Sequence, residues 1–338
     1  MTSMFSWADR YPASISIENL TSSPTFFFLR AIEQTVVFSI PAFIFVSGYF
    51  AAFLAGRQSS RLSYTQTLSR IRGLLIPYLI WSIFFMGMGV IEGKTLQPER
   101  ILTNLLIGST TPAYYYVPLI VQLYLVAPFL ILAARKYRKA LLIFTGILQC
   151  LIHLPVTLSL WGIQGEWLRP FLQIPKWVFI TRLFWFSAGI VAGLHLSKVK
   201  PAIQKLNTLF GISAIFLLIG GFLEWEILKG PIQSRETVLD WIYEVAVLLF
   251  FLSLKDQQKF PFAKTFNFLS SKSFGIYLAH VPVMEITARG IYLLAPWILP
   301  NHLLFFILIF VFGLGIPLLG MQIVNITKLR PIYVYLFG

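Results

Sequence analysis

The sequence is poor in most of what a soluble enzyme is built from. Of its 338 residues 12% are charged, 13 are acidic and four are histidine, too little polarity to cover the surface of a soluble domain of this length. The one cysteine, Cys150, lies in an apolar stretch, which excludes intramolecular disulfides and thiolate metal clusters; no metal site is expected. A glycine-rich phosphate loop, a Gly-x-Ser-x-Gly elbow, a His-Glu-x-x-His zinc pair and a His-x4-Asp box are all missing, so most soluble reaction classes fall away. Long loops, internal repeats, low-complexity tracts and linkers are missing too. Residues 1–338 therefore read as a single domain whose chemistry takes place inside a bundle or on its short loops.

What is present is apolar sequence, 57% hydrophobic and 16% aromatic. It falls into nine stretches, 34–54, 73–91, 115–134, 140–161, 177–196, 208–223, 238–254, 273–293 and 303–324. Each can cover a hydrocarbon core of about 30 Å at about 1.5 Å per residue, the shorter ones with flanking residues. The expected fold is all-α, a polytopic transmembrane bundle of about nine helices.

The charges between the stretches alternate. Segments 55–72, 135–139, 197–207 and 255–272, with the C-terminal tail, hold 17 of the 27 Lys and Arg residues and a single acid, Asp256. By the positive-inside rule they are cytoplasmic. The N-terminal segment 1–33 and the other connections carry 8 basic and 9 acidic residues and belong outside, where Trp7, Trp161, Trp167, Trp177, Trp225, Trp241 and Trp297 form an interfacial belt. The net charge of +14 is thus topology and not a nucleic-acid surface. The first helix starts outside with no leader pattern in 1–33, which predicts a further helix upstream.

Ionisable groups inside apolar stretches cost roughly 2.5–3.5 kcal/mol each on insertion scales, so they are expected to face the interior. Arg182 is one; His280, Glu285 and Arg289 share another stretch. Glu285 and Arg289, spaced i, i+4, can neutralise each other, or Arg182 or Arg289 can neutralise an anionic ligand. Pro282 frees a backbone carbonyl one turn earlier, which the His280 imidazole can satisfy, or the imidazole can act as a base. His153, His195 and His302 are expected at the interface, and Asp240 and Glu244 in solvated outer turns. The inner segment with Arg57, Arg61, Arg70 and Arg72 either sets topology alone or grips phosphates.

Four segments in order carry a resemblance: Ser39-Ile-Pro-Ala-Phe-Ile-Phe-Val-Ser-Gly-Tyr-Phe50, Arg70-Ile-Arg-Gly-Leu-Leu-Ile-Pro-Tyr-Leu-Ile-Trp81, Tyr114-Tyr-Tyr-Val-Pro-Leu-Ile-Val-Gln-Leu-Tyr-Leu-Val-Ala-Pro128 and Ser273-Phe-Gly-Ile-Tyr-Leu-Ala-His280. Together they resemble the integral-membrane acyltransferase family 3 over nearly the whole chain. The resemblance implies a ten-helix, multi-pass enzyme of the bacterial inner membrane with a cytoplasmic C-terminus. It would move an acyl group, commonly acetyl, from cytoplasmic acyl-CoA, a co-substrate rather than a bound cofactor, to a hydroxyl of a glycan or lipid-linked sugar. Arg70 and Arg72 would hold CoA phosphates, and Tyr114, Tyr115 and Tyr116 would form an aromatic outer mouth for the acceptor, with Arg182, Glu285 and Arg289 in the cavity. Membrane lipid, acyl-CoA and the acceptor are the expected partners.

The chain departs from the pattern twice. The family's first helix, with an arginine near its start and the histidine taken as base, has no counterpart, and residues 1–33 contain no histidine. Transfer is expected to be impaired unless the base comes from upstream, with His280 the candidate inside the bundle. The paired inner arginines usually stand three apart; Arg70 matches the first position, but Gly73 holds the second. The alternative is a transporter or flippase for a glycan or small amphiphile, although the paired halves and broken helices of such folds are not seen.

Overall fold

The computed structural model describes residues 23–58, 64–91, 93, 95, 97–163, 165–228, 236–254 and 262–338. Arg61, residues 1–22 of the N-terminal segment and residues 255–261 of the last basic connection lie outside the described residues. Among the described residues all regular elements are helical, as the all-α reading requires: α1 (Pro24–Thr35), α2 (Ser39–Gln58), α3 (Tyr64–Ile91), α4 (Pro98–Ile107), α5 (Tyr116–Leu160), α6 (Arg169–Leu172), α7 (Leu183–Lys205), α8 (Asn207–Leu228), α9 (Val238–Ser253), α10 (Ala263–Leu294), α11 (His302–Ile326) and α12 (Tyr333–Phe337). Each of the nine apolar stretches falls on helix along nearly its whole length. Among the described residues, six segments are long and apolar enough to cross a membrane: Pro24–Phe53, Thr65–Ile91, Tyr116–Leu160, Phe179–Lys205, Asn207–Leu228 and His302–Ile326.

Two boundaries differ from expectation. Helix already starts at Pro24, inside the expected external segment. The basic segment 135–139 is not a loop: α5 runs through it, and Tyr137 alone leaves helical geometry, at φ −131 and ψ 40. No glycine or proline lies between Pro128 and Gly146 to end the helix there. Its 45 residues would reach about 68 Å if straight, more than twice the hydrocarbon core. The break divides α5 into two spans.

The chain packs as two compact units. The first comprises Met1–Glu33, Arg72–Tyr114 and Pro261–Gly338; the second comprises Gln34–Ile71 and Tyr115–Phe260. In the second unit α2 and α7 touch backbone to backbone. A Cβ on Gly189 would lie 2.0 Å from the Phe45 carbonyl oxygen, and one on Gly48 would lie 2.2 Å from that of Phe186. With no hydrophobic drive between helices in lipid, small residues that permit this approach hold such pairs together. At the start of α9, Thr237 and Asp240 form a reciprocal capping box, each side chain bonding the other's backbone N–H at 3.2 Å.

In the first unit α10 packs against α11, and the chain end folds back onto both. The Trp81 indole donates to the Leu336 carbonyl at 2.8 Å, and the Phe337 ring lies 6.3 Å from that of Trp81. A second apolar cluster, centred on Leu299 and Phe305, fixes the turn between α10 and α11.

Candidate functional site

In the first unit the end of α3, Gly93, Thr95, Gln97, α4 and α10 line a cavity of ≈ 680 Å³, within the usual range of ligand pockets. Its polar wall carries Arg100, Asn104, Thr110, Glu285 and Arg289. α4 supplies the first two: Pro98 opens it, and Gly108 closes it in the left-handed conformation at φ 72. Arg289 donates through Nε and Nη2 to Glu285 Oε1, each at 2.9 Å. Both side chains are about one-third exposed, so the pair adds little stability. The Thr110 hydroxyl is buried without a hydrogen-bond partner in the structure.

Pro282 cannot donate to the carbonyl of Leu278. That carbonyl is satisfied by the Tyr114 hydroxyl at 2.6 Å, and burial keeps this phenol protonated by pushing its pKa up. The ring of Tyr114 packs edge-on to Tyr78 at 5.8 Å and lies 6.2 Å from Tyr277; the Tyr277 hydroxyl donates to Ala113 O. Tyr114 is 0% exposed. It is a strut between the 109–115 connection and α10, not part of an exposed mouth as expected from the sequence. His280 instead bonds through Nδ1 to the carbonyl of Tyr277 at 2.6 Å. That contact makes Nδ1 the protonated nitrogen and leaves Nε2 as the position able to accept a proton.

In the second unit Arg182 is the centre of a buried polar network. It sits in the 3-10 turn Phe179–Arg182 that leads into α7 and is 5% exposed. Its Nη2 meets Glu236 Oε1 at 2.6 Å, and Lys176 reaches the same oxygen at 3.2 Å. Burial alone would raise the Glu236 carboxyl, but Arg182 and then Lys176 hold it down to about 2. The Glu236 carbonyl accepts from His153 Nδ1 at 2.6 Å. His153 Nε2 then accepts from Gln149 at 2.9 Å, whose amide also donates to Thr181 O at 2.8 Å. Both imidazole nitrogens are engaged, which suits a positioning role and not that of a base. Tyr115 lies within hydrogen-bonding reach of Arg182.

Gln122 pins the segment before this turn, donating to Trp177 O at 2.9 Å and accepting from Phe179 N at 3.3 Å. Nearby on α5, Tyr116 and Tyr124 both come within hydrogen-bonding reach of Ser47 on α2. Arg70 is in electrostatic range of Tyr124. Ser47, Tyr116, Tyr124 and Arg70 thus share one neighbourhood of the second unit.

The expected sites divide accordingly. Glu285 and Arg289 share the cavity of the first unit, while Arg182, Tyr115 and Tyr116 belong to the second. His280 is some 140° around α10 from Glu285 and 180° from Arg289, at about 100° per residue, so helix geometry sets it on another face from both. Arg70 and Arg72 are both exposed and about 200° apart around α3, so they point away from each other.

Two expectations need correction. Asp240 is 0% and Glu244 5% exposed, not solvated: Asp240 Oδ1 accepts from Gln34 at 2.7 Å and Oδ2 from Trp225 at 3.4 Å. His153, 2% exposed, and His302, 9%, are also buried within the protein. The carbonyl freed by Pro282 is taken by Tyr114 and not by His280. Sequence reasoning missed Glu236, Gln149 and Arg100. The one available signal was the need of buried Arg182 for a counter-ion.

Neither a curated protein nor a solved structure matches the chain. A family model, that of the acyltransferase domain, matches residues 10–321. That span takes in the cavity of the first unit, the Arg182 network and all four resembling segments, and the chain belongs to this family, the integral-membrane acyltransferases of family 3.

Proposed function

We propose that this membrane acyltransferase moves an acyl group, most simply acetyl, from acyl-CoA at the cytoplasmic face to a hydroxyl of a glycan or lipid-linked sugar. The observation that carries the reading is the family match over residues 10–321. The polar cavity beside Glu285 and Arg289 suits a hydroxyl-rich acceptor. Arg70 and Arg72, exposed on α3, suit the CoA phosphates, with charge-assisted hydrogen bonds as the source of affinity.

In the transfer step the reacting hydroxyl, on a part of the glycan that extends beyond the Glu285–Arg289 cavity to the His280 face of α10, loses its proton to His280 Nε2 as its oxygen attacks the thioester carbonyl carbon. The tetrahedral intermediate collapses with cleavage of the C–S bond. The CoA thiolate leaves and takes up the proton, so the imidazole is restored. The bound Tyr277 carbonyl holds the ring in the tautomer this step needs.

The test is to incubate the purified protein in nanodiscs with acetyl-CoA labelled in the acetyl group and a pool of membrane glycans. Label in an alkali-labile ester on the glycan is the expected result, lost in His280→Ala. No labelled product, with the glycan moved across the bilayer instead, would overturn the reading in favour of a transporter.

A further inference from the structure

A separate groove in the second unit, formed by α2, α5, α7 and α9, encloses ≈ 550 Å³. Its wall is apolar along most of its length, with Phe45, Leu142, Trp185 and Leu248 on the sides and Ala188 and Ala192 as the floor. The floor is hollow because both positions are alanine, one helical turn apart. The adjacent face of α7, with Gly189, is the one that packs on α2.

One end is different. Arg138, Lys139 and His195 stand there, the first two exposed, immediately after the break at Tyr137. Lys136 lies 5.0 Å over the Tyr137 ring. Lys198, Lys200 and Lys205 follow on α7, and no acid occurs in 131–165 or 183–207. The basic residues that α5 and α7 bring here have no acidic neighbour on those two segments.

The dimensions select the ligand. The lining on α7 runs past His195 to Val199 and Ile203; the part on the Trp185 side of the basic group, His195 to Trp185, is ten residues of helix, about 15 Å, half of a hydrocarbon core of about 30 Å. A molecule that fills this groove has one anionic head and a chain as deep as one leaflet. We infer that the groove is a binding site for an anionic phospholipid, whose phosphate meets Arg138 and Lys139 and whose acyl chain lies along Ala188 and Ala192 to Trp185. A zwitterionic lipid offers the same chain, but its ammonium offsets the phosphate, so the basic end should discriminate between them. This site is independent of the acyl-transfer reading and of the polar cavity in the first unit.

The experiment uses the full chain in phosphatidylcholine nanodiscs doped with a minor fraction of phosphatidylglycerol or phosphatidylcholine brominated on the acyl chain. Bromine quenches nearby indoles, and the share due to Trp185 is the difference from Trp185→Phe. Phosphatidylglycerol should quench that share at about thirty-fold lower mole fraction than phosphatidylcholine, from two cationic contacts at the membrane surface. Arg138→Gln with Lys139→Gln should bring the two lipids within about threefold, and exposed Lys139→Gln alone should lie between, which keeps the test open if the double variant does not fold. Ala192→Phe fills the floor without touching the charges and should remove quenching by both lipids. Equal quenching by the two lipids in the unaltered protein would overturn the inference, as would a preference that survives neutralisation of Arg138 and Lys139. Displacement of brominated phosphatidylglycerol by palmitoyl-CoA, but not by excess phosphatidylglycerol, would assign the groove to the acyl donor and overturn it equally.

Discussion

Glu236→Gln removes the carboxylate that faces Arg182 and leaves a guanidinium 5% exposed without its partner at 2.6 Å. Two routes give the size of the effect. Breaking a buried ion pair from one side costs about 3–5 kcal/mol, and the proximity of Glu244, which also acts on Arg182, favours the lower figure. Independently, the gap between the usual carboxyl value of 4.5 and about 2 in the folded protein converts at about 1.4 kcal/mol per pH unit to roughly 3–4 kcal/mol. The folded value is the depressed one, so this stability is complete above about 4.5 and is lost as pH falls toward 2. Equilibrium unfolding in mixed micelles with rising SDS, at neutral pH, should show Glu236→Gln destabilised by about 3 kcal/mol. Arg182→Met combined with Glu236→Gln should cost clearly less than the two changes summed, because neither charge is then stranded. A cost below about 1 kcal/mol, or simple additivity in the double variant, would refute the claim that this pair is coupled.

Tyr114→Phe strands the Leu278 carbonyl and should cost about 1–3 kcal/mol in the same unfolding assay; Pro282→Ala in that background returns a backbone donor and should recover most of it. Gly189→Val places a Cβ 2.0 Å from the Phe45 carbonyl and should abolish monodisperse protein in size-exclusion chromatography, whereas Gly290→Ala, with open space around its Cβ, should leave the profile unchanged. Arg70→Gln should weaken CoA binding in calorimetry by about 1.5–3 kcal/mol, with Arg72→Gln additive because the two point apart; an equal loss from Lys328→Gln, a basic residue of the C-terminal tail, would reduce both arginines to topology. Lys136→Cys in a Cys150→Ser background should stay unlabelled by an impermeant maleimide added to intact cells, and labelling from outside would reverse the orientation.

The helical stretches were legible because length and hydropathy are local properties, and in lipid a spanning segment has little choice but to close its own backbone hydrogen bonds. The same locality made Glu285 and Arg289 readable as a pair, since an i, i+4 spacing on one helix fixes their geometry without any knowledge of the fold. Loop positions read less well. The cluster Arg135-Lys-Tyr-Arg-Lys139 looks like a connection by charge, yet nothing in it breaks a helix, and only Tyr137 departs from helical geometry.

The buried network failed to show in the sequence for the opposite reason. Glu236 lies 54 residues from Arg182 and 83 from the His153 ring that bonds its carbonyl, and Gln34 lies 206 residues from Asp240. Asp240 and Glu244 look solvated because they occupy the first turns of a helix beside a polar connection, where water is the default partner. Burying Asp240 there is tolerable only because the chain returns donors from elsewhere: an amide from the junction of α1 and α2, an indole from α8 and the backbone N–H of Thr237. Each of these is neutral, so the negative charge of Asp240 is stabilised by hydrogen bonds and not by a cation. Arg182 stands in contrast, since a guanidinium with its Nε unbonded requires a carboxylate, and Glu236 supplies one at a position where Lys176 still reaches solvent. The two solutions carry different consequences: acid acts on the Arg182 cluster through Glu236, while the Asp240 contacts should weaken when Gln34 or Trp225 loses its donor.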